Sequence, residues 1–213
     1  MTRLLLLDCD STLSAVEGID ELARLRGPAV FAEVERMTAE AMDGGTALET
    51  VFARRLELIR PTRTEVATLA QKYLATVEPD AAHALARIRA AGWQIAIVSG
   101  GFTEAIAPLA NALGIERVEA VGLHFDAKGA YAGYASDAPT ARSRGKNQVA
   151  RQLRAEFKAT EVVMVGDGAS DLEVKGDADR VIGFGRYALR AKVKAGADAF
   201  IMRLADLPAL LGA

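Results

Sequence analysis

Two carboxylates two residues apart, Asp8 and Asp10, stand where the apolar run Leu4 to Leu7 breaks off into Asp8-Cys9-Asp10-Ser11-Thr12. Like charges that close repel unless a cation or a proton comes between them, so the pair points to a metal site or to acid/base chemistry, with an ordinary turn or helix cap as the alternative. Two later strings also carry polar groups: Ser99-Gly100-Gly101, and Gly166-Asp167-Gly168-Ala169-Ser170-Asp171, which is much rarer than the D-x-D-x-T string at Asp8. Mg²⁺ prefers an oxygen shell of one or two carboxylates, waters and a phosphate; Asp8 and Asp167 can supply the carboxylates, with Asp171 orienting them from behind. The ligand would then be a phosphate. Ser99 and the glycine amides, at a helix amino end, make an anion cradle, and Lys146 at the start of its own helix adds a positive charge. An aspartate can attack phosphorus, and a carboxyl two residues on can protonate the leaving oxygen and then activate water. These roles fall to Asp8 and Asp10.

The elements that must position these groups are those of an α/β protein. Leu4 to Leu7 shows no alternation, as expected of a strand covered on both faces in a parallel sheet, where ligands gather beyond the carboxyl ends. From about Glu17 to Thr76 the pattern is helical, with breaks at Arg26-Gly27-Pro28, Asp43-Gly44-Gly45 and Arg60-Pro61, which predicts three or four helices and no strand. Strand and helix patterns then alternate: a helix over Pro79 to Ala91, a strand over Trp93 to Val98, and a helix from Thr103 to Leu113 that Pro108 should kink. Leu123 to Tyr134 carries hairpin chemistry around Asp126-Ala127-Lys128-Gly129, and Val149, Leu153 and Phe157 recur at helical spacing before a buried strand, Glu161 to Val165. Short apolar runs at Val181 to Phe184 and Ala199 to Met202 complete a five-stranded sheet. The expectation is a doubly wound parallel sheet formed by residues 1–13 and 77–213, a small β-hairpin flap, and a helical cap, 14–76, inserted after the first strand so that it covers the carboxyl end.

Composition narrows the partners. The 213 residues are 51% hydrophobic and 25% charged with a formal net charge of -2, and the basic residues are dispersed, which argues against nucleic acid. The leucine run is too short for a signal-peptide core or a membrane span, and the single Cys9 permits no internal disulfide; a cytoplasmic protein, monomer or homodimer, is expected. Cys9 itself is expected to be a small, half-buried residue without a redox role. Gly183-Phe184-Gly185-Arg186-Tyr187-Ala188 mimics a dinucleotide-binding fingerprint, but too little chain follows it for a second strand and its acidic residue.

Taken together, D-x-D-x-T, S-G-G, a lysine and G-D-G-x-x-D resemble the haloacid dehalogenase superfamily of phosphotransferases, and within it the phosphoserine phosphatase family. Glu17-Gly-Ile-Asp-Glu-Leu-Ala, Ala41-Met-Asp-Gly, Ser99-Gly-Gly-Phe and Ile182-Gly-Phe-Gly extend the likeness over nearly the whole length. The resemblance implies a HAD-like Rossmannoid core, Mg²⁺ as cofactor, and hydrolysis of L-phosphoserine through a phosphoaspartyl intermediate in serine biosynthesis. It implies Asp8 as nucleophile and metal ligand, Asp10 as acid/base that also offers its backbone carbonyl to the metal, and Asp167 as the third ligand. Ser99, Gly100, Gly101 and Lys146 would hold the phosphate. Glu17 would receive the substrate's ammonium and Arg55 its carboxylate, with Met42 and Gly44 nearby. Leu48 stands where the family usually has a phenylalanine, and Ser170 where it has Asn or Thr. Phosphate transfer to another alcohol such as homoserine is the alternative within the class. An aspartate-phosphorylated signalling receiver is the alternative outside it, and the insertion and Asp10 argue against a receiver.

Overall fold

The computed structural model describes residues 2–42 and 47–213, with the backbone alone at 39, 41 and 42. The leucine run forms β1 (Thr2–Leu7), and all four leucines are fully buried. Successive strand residues face opposite ways. Leu5 and Leu7 join a core with Leu85 and Ile88, whereas Leu4 and Leu6 join a second core with Val149 and Leu153. A strand packed on both faces has no polar face to encode, which is why the run is continuous.

Four helices follow β1: α1 (Gly18–Arg24), α2 (Pro28–Met42), α3 (Leu48–Ile59) and α4 (Arg63–Ala75). Val51, Phe52, Leu56 and Ile59 form a buried stripe at helical spacing on α3, and they share one core with Leu22, Val34, Val66 and Leu69 of the other three helices. Thr62 and Glu65 make a reciprocal capping box at the start of α4, and Arg26 grips both oxygens of Glu65 at 2.7 Å. The chain leaves and re-enters the sheet region through paired segments: Ser14 bridges Val77, Ala15 N donates to Thr76 O at 2.9 Å, and Glu78 N donates to Leu13 O at 2.8 Å.

Next come α5 (Ala81–Ala90), β2 (Trp93–Phe102), α6 (Thr103–Ala112), β3 (Arg117–Val121) and the hairpin β4 (Leu123–Phe125) and β5 (Tyr131–Tyr134). The last part holds α7 (Gly145–Phe157), β6 (Ala159–Gly166), α8 (Ala169–Leu172), β7 (Arg180–Phe184), α9 (Ala191–Gly196), β8 (Ala199–Ile201) and α10 (Leu207–Leu210). The main sheet runs β3-β2-β1-β6-β7-β8, with every pair parallel. It therefore has six strands, not the five expected from the apolar runs. The missing one is β3, an edge strand in which only Val121 is buried and Arg117 and Glu119 are charged, so it lacks the hydrophobic run of a central strand. The helix α6 runs through Pro108.

From β1 the chain winds outward through β2 to β3, then returns to lay β6 on the other side of β1. The carboxyl ends of β1 and β6 flank the point where the winding reverses, the place where open α/β sheets take up ligands. The G-x-G of β7 has a different purpose: a Cβ at Gly185 would fall 2.2 Å from Phe200 Cζ, and one at Gly183 2.7 Å from Phe200 Cδ2. These glycines admit an aromatic ring, not a pyrophosphate. Among the described residues no helix is long and apolar enough to cross a membrane.

Candidate active site

The turn after β1 wraps around one carbonyl: Leu13 N and Ser14 N donate to Cys9 O at 2.9 and 3.0 Å, and Ser11 adopts a left-handed conformation with φ 50°. Asp8 N prolongs the ladder to Val165 O at 2.9 Å, which fixes Asp8 at the sheet's edge, and Asp8 Oδ1 accepts from Cys9 N at 2.7 Å. The same turn brings Ser11 Oγ within 2.6 Å of Glu17 Oε1, at the residue preceding α1.

From the other side of the reversal, β6 ends in Gly166, and Asp171 folds back from α8 to accept from Gly168 N at 2.9 Å. Only glycine fits at 166, since a Cβ there would lie 2.2 Å from Asp171 Cγ. Asp8, Asp167 and Asp171 each offer a carboxylate oxygen, all within 4.8 Å of one another, and all three residues are buried. Hard oxygen donors this close and this shielded suit a divalent cation, and the group could hold one. Two bases face the negative charge. Lys146 Nζ, second residue of α7, lies 2.8 Å from Asp8 Oδ2 and 2.6 Å from Asp171 Oδ1; Arg190 Nε lies 3.0 Å from Asp167 Oδ2. Burial alone would lower the Lys146 pKa, but Asp171 and Asp8 hold it above the ordinary lysine range. Burial, then the Asp8 charge, drives Asp167 well above the ordinary carboxylate range. The same two causes bring Asp171 up to about 7, against the pull of Lys146.

Asp10 has different surroundings. Its Oδ1 accepts from Tyr73 Oη at 2.5 Å and from Gly18 N at 2.7 Å, so both bonds come from the helices between β1 and β2. Burial, followed by the charges of Glu17 and Asp8, pushes Asp10 up to about 7 despite those two bonds. Gly18 is glycine for want of room, as a Cβ would come 2.1 Å from Tyr73 Oη.

Ser99, Gly100 and Gly101 lie inside β2, whose pairing with β3 shifts between Val98 and Phe102. The strand runs on through them, past the end expected at Val98, and α6 begins at Thr103, where the sequence placed it. The irregular ladder frees this stretch, and Gly101 N turns back to Ser99 Oγ at 3.0 Å. A Cβ on Gly101 would press to 2.6 Å of Asp10 Oδ2.

These groups line a single cavity of about 350 Å³. Asp8, Asp10, Asp167, Ser99, Lys146 and Ser170 come from the sheet edge and the helices that follow it; Glu17 and Arg55 come from the four-helix insertion, together with Thr38, Leu48 and Phe52. Gly100 and Gly101 complete the wall, and Asp171 stands behind it with both oxygens engaged. Gly44 and the side chain of Met42 lie outside the described residues.

The sequence profile of the haloacid dehalogenase-like hydrolases matches residues 2–175. The chain belongs to that family. This hydrolase is 38% identical to a phosphoserine phosphatase of Bos taurus over 208 residues, 97% of this chain and 90% of the relative, and 36% identical to that of Homo sapiens over 94% and 89%. Two solved structures superpose over nearly the whole fold. One is a phosphoaspartyl intermediate analogue of phosphoserine phosphatase, with a TM-score of 0.80 and 28% identity, covering 99% of this chain and 98% of that one. The other is a substrate-bound phosphoserine phosphatase complex, with a TM-score of 0.81 and 26% identity, covering 100% and 98%.

Besides Thr38 and Phe52 of the cavity wall, Arg190 and Tyr73 escaped the sequence reading. Arg190 reaches Asp167, and its Nη2 approaches Glu17 Oε1 at 3.8 Å, from the segment between β7 and α9. Tyr73 comes from α4. Neither sits in a string whose spacing marks it, and each arrives only because the chain folds back over the strand ends. Cys9 is fully buried, not half-buried, because alternate side chains of the turn continue the packing of β1. Burial, then Asp10 and Asp8, raises its thiol pKa well above the ordinary thiol range, so the reactive thiolate is suppressed. Native protein at pH 8 is expected to resist a thiol-specific reagent such as iodoacetamide and to label fully in denaturant. Rapid labelling of the native form would contradict this placement.

Proposed function

We propose that this hydrolase is an Mg²⁺-dependent phosphomonoesterase that converts L-phosphoserine to L-serine and phosphate, working in the cytoplasm as a monomer or homodimer, with residues 14–76 acting as a cap. The observation that carries the reading is the division of the cavity. Its floor holds the carboxylate group, Lys146 and Ser99, suited to a phosphate, while the insertion contributes one carboxylate, Glu17, and one guanidinium, Arg55. An ammonium and a carboxylate on the same small ester are what such a pair would recognise. The single unpaired cysteine supports a reducing compartment.

Asp8, Asp167 and the backbone carbonyl of Asp10 would hold Mg²⁺, with Asp171 steadying the set. When bound, the ion supplies positive charge beside the phosphate oxygens. Lys146 and Ser99, with the amide of Gly100, bind the phosphate and hold it in line with Asp8, Gly101 N steadies Ser99 Oγ, and Ser170 borders the same oxygens. An Asp8 carboxylate oxygen attacks phosphorus, the ester P–O bond breaks, and the Asp10 proton passes to the departing serine oxygen. Asp10, now a carboxylate, takes a proton from water as that water attacks the phosphoaspartate, and the P–O bond to Asp8 breaks to release phosphate. Burial, which raises the Asp10 pKa, favours a carboxyl that can carry the proton for both duties.

With Mg²⁺ present, phosphate release from L-phosphoserine should exceed that from phosphothreonine or sugar phosphates by roughly tenfold or more in kcat/KM, since the alternatives crowd the cavity or leave Glu17 and Arg55 unpaired. A colorimetric phosphate assay over the panel checks this. Equal rates across it would remove phosphoserine as the substrate.

A further inference from the structure

Arg55 is 6% exposed, and its Nε has no hydrogen-bond partner among the described residues. The one hydrogen bond of its side chain there runs from Nη1 to Thr38 Oγ1 at 3.0 Å. Burial is the largest influence on Arg55, followed by the opposing charge of Asp20, whose own Oδ1 is buried with no hydrogen-bond partner among the described residues. Asp20 therefore offsets the buried charge through space, while Thr38 supplies the direct contact.

Thr38 is not free in how it makes that contact. Its hydroxyl donates to Val34 O, one helical turn back on α2, at 2.9 Å. With its single proton committed, Oγ1 can only accept, and the Arg55 Nη1 bond is the one it takes. Thr38 and Arg55 both line the cavity, on α2 and α3. A long guanidinium side chain left unheld would lose rotamer freedom on meeting a carboxylate, and one already anchored loses less.

We propose that Thr38 is a positioning residue that sets selectivity for amino-acid phosphoesters, its hydroxyl locked as an acceptor and holding Arg55 towards the substrate carboxylate. The inference rests on the phosphoserine reading and extends it to a residue in direct contact with Arg55. Phosphoethanolamine is the informative comparison, because it keeps the phosphoester and the ammonium of phosphoserine and lacks only the carboxylate.

The test measures kcat and KM for both compounds with the parent protein and with Thr38→Val, Thr38→Ser and Arg55→Ala. Valine is close in shape and helix propensity to threonine, and Thr38→Ala repeats the measurement if valine disturbs α2. Loss of one hydrogen bond to a charged group should lower the phosphoserine-to-phosphoethanolamine ratio of kcat/KM by ~10-fold in Thr38→Val, chiefly through the KM for phosphoserine. Thr38→Ser should recover most of the ratio. An unmoved ratio in Thr38→Val, an equal loss on both compounds, or a failure of serine to rescue would overturn the proposal. If Arg55→Ala flattens the ratio while Thr38→Val leaves it intact, the phosphoserine reading stands and only the role of Thr38 falls. A parent protein that does not prefer phosphoserine over phosphoethanolamine removes both.

Discussion

Asp8→Asn is expected to abolish turnover, with kcat falling by ~10⁴-fold or more and no phosphorylated chain detectable by intact mass after rapid acid quench. The side chain keeps its size, so the fold should survive. Lys146 retains its partner Asp171 at 2.6 Å, and the ladder bond from the backbone of residue 8 to Val165 O is untouched. What is lost is the anionic oxygen proposed to form the bond to phosphorus, together with one carboxylate of the three that lie within 4.8 Å. A merely electrostatic role for Asp8 would leave a slow, measurable reaction with bulk water as nucleophile. Substantial residual turnover together with an unlabelled parent chain would remove Asp8 as nucleophile.

The second large effect concerns pH in metal-free protein. Asp10 and Asp171 keep their protons up to about 7 in the folded chain, against 3.8 for an ordinary aspartate. Between those limits the native state binds more protons than the unfolded state, so the stability it gains from them, full below about 4, is lost as pH rises through 7. Each such group contributes a slope of about 1.4 kcal/mol per pH unit at most. Asp167, shifted in the same direction, adds to the trend. Melting in EDTA should therefore show Tm falling from pH 5 to pH 8. Mg²⁺ bound as proposed would compete with these protons for the same oxygens, so its stabilisation should be larger at pH 8 than at pH 5. A metal-free Tm that rises over this range, or an Mg²⁺ effect that is greater in acid, would falsify this account of the carboxylate group.

How much was legible in the chain depended on whether the controlling contacts were local. The run of leucines disclosed a strand buried on both faces because each leucine answers to its own position in the pleat. β3 was not legible, since an edge strand with one buried residue carries almost no such imprint. The floor of the cavity came through in short strings, D-x-D and G-D-G-x-x-D, because the turns after β1 and β6 impose their own spacing. Glu17 and Arg55 were identified through family resemblance, their helical surroundings being indistinguishable from a solvated face. Arg190 and Tyr73 were missed because their partners, Asp167 and Asp10, are remote in sequence, and no periodicity on either helix or loop records such a meeting. The position of the Ser-Gly-Gly stretch was misjudged for a related reason: glycines signal a break in a strand as readily as its end, and here β2 continues past them.

The two bonds to Asp10 Oδ1, from Tyr73 and from Gly18, have a further consequence. Asp10, the proposed proton carrier, follows β1 in the chain and is held through its side chain by α1 and α4. On the proposed mechanism, exclusion of water and assembly of the acid would therefore be a single event. When α1 and α4 sit against the strand ends, the carboxyl is buried, oriented and able to keep a proton near neutrality. Where they do not, the same residue is an ordinary solvated aspartate, and the fold thereby ties the chemical competence of one side chain to the shielding of the bond it is to break.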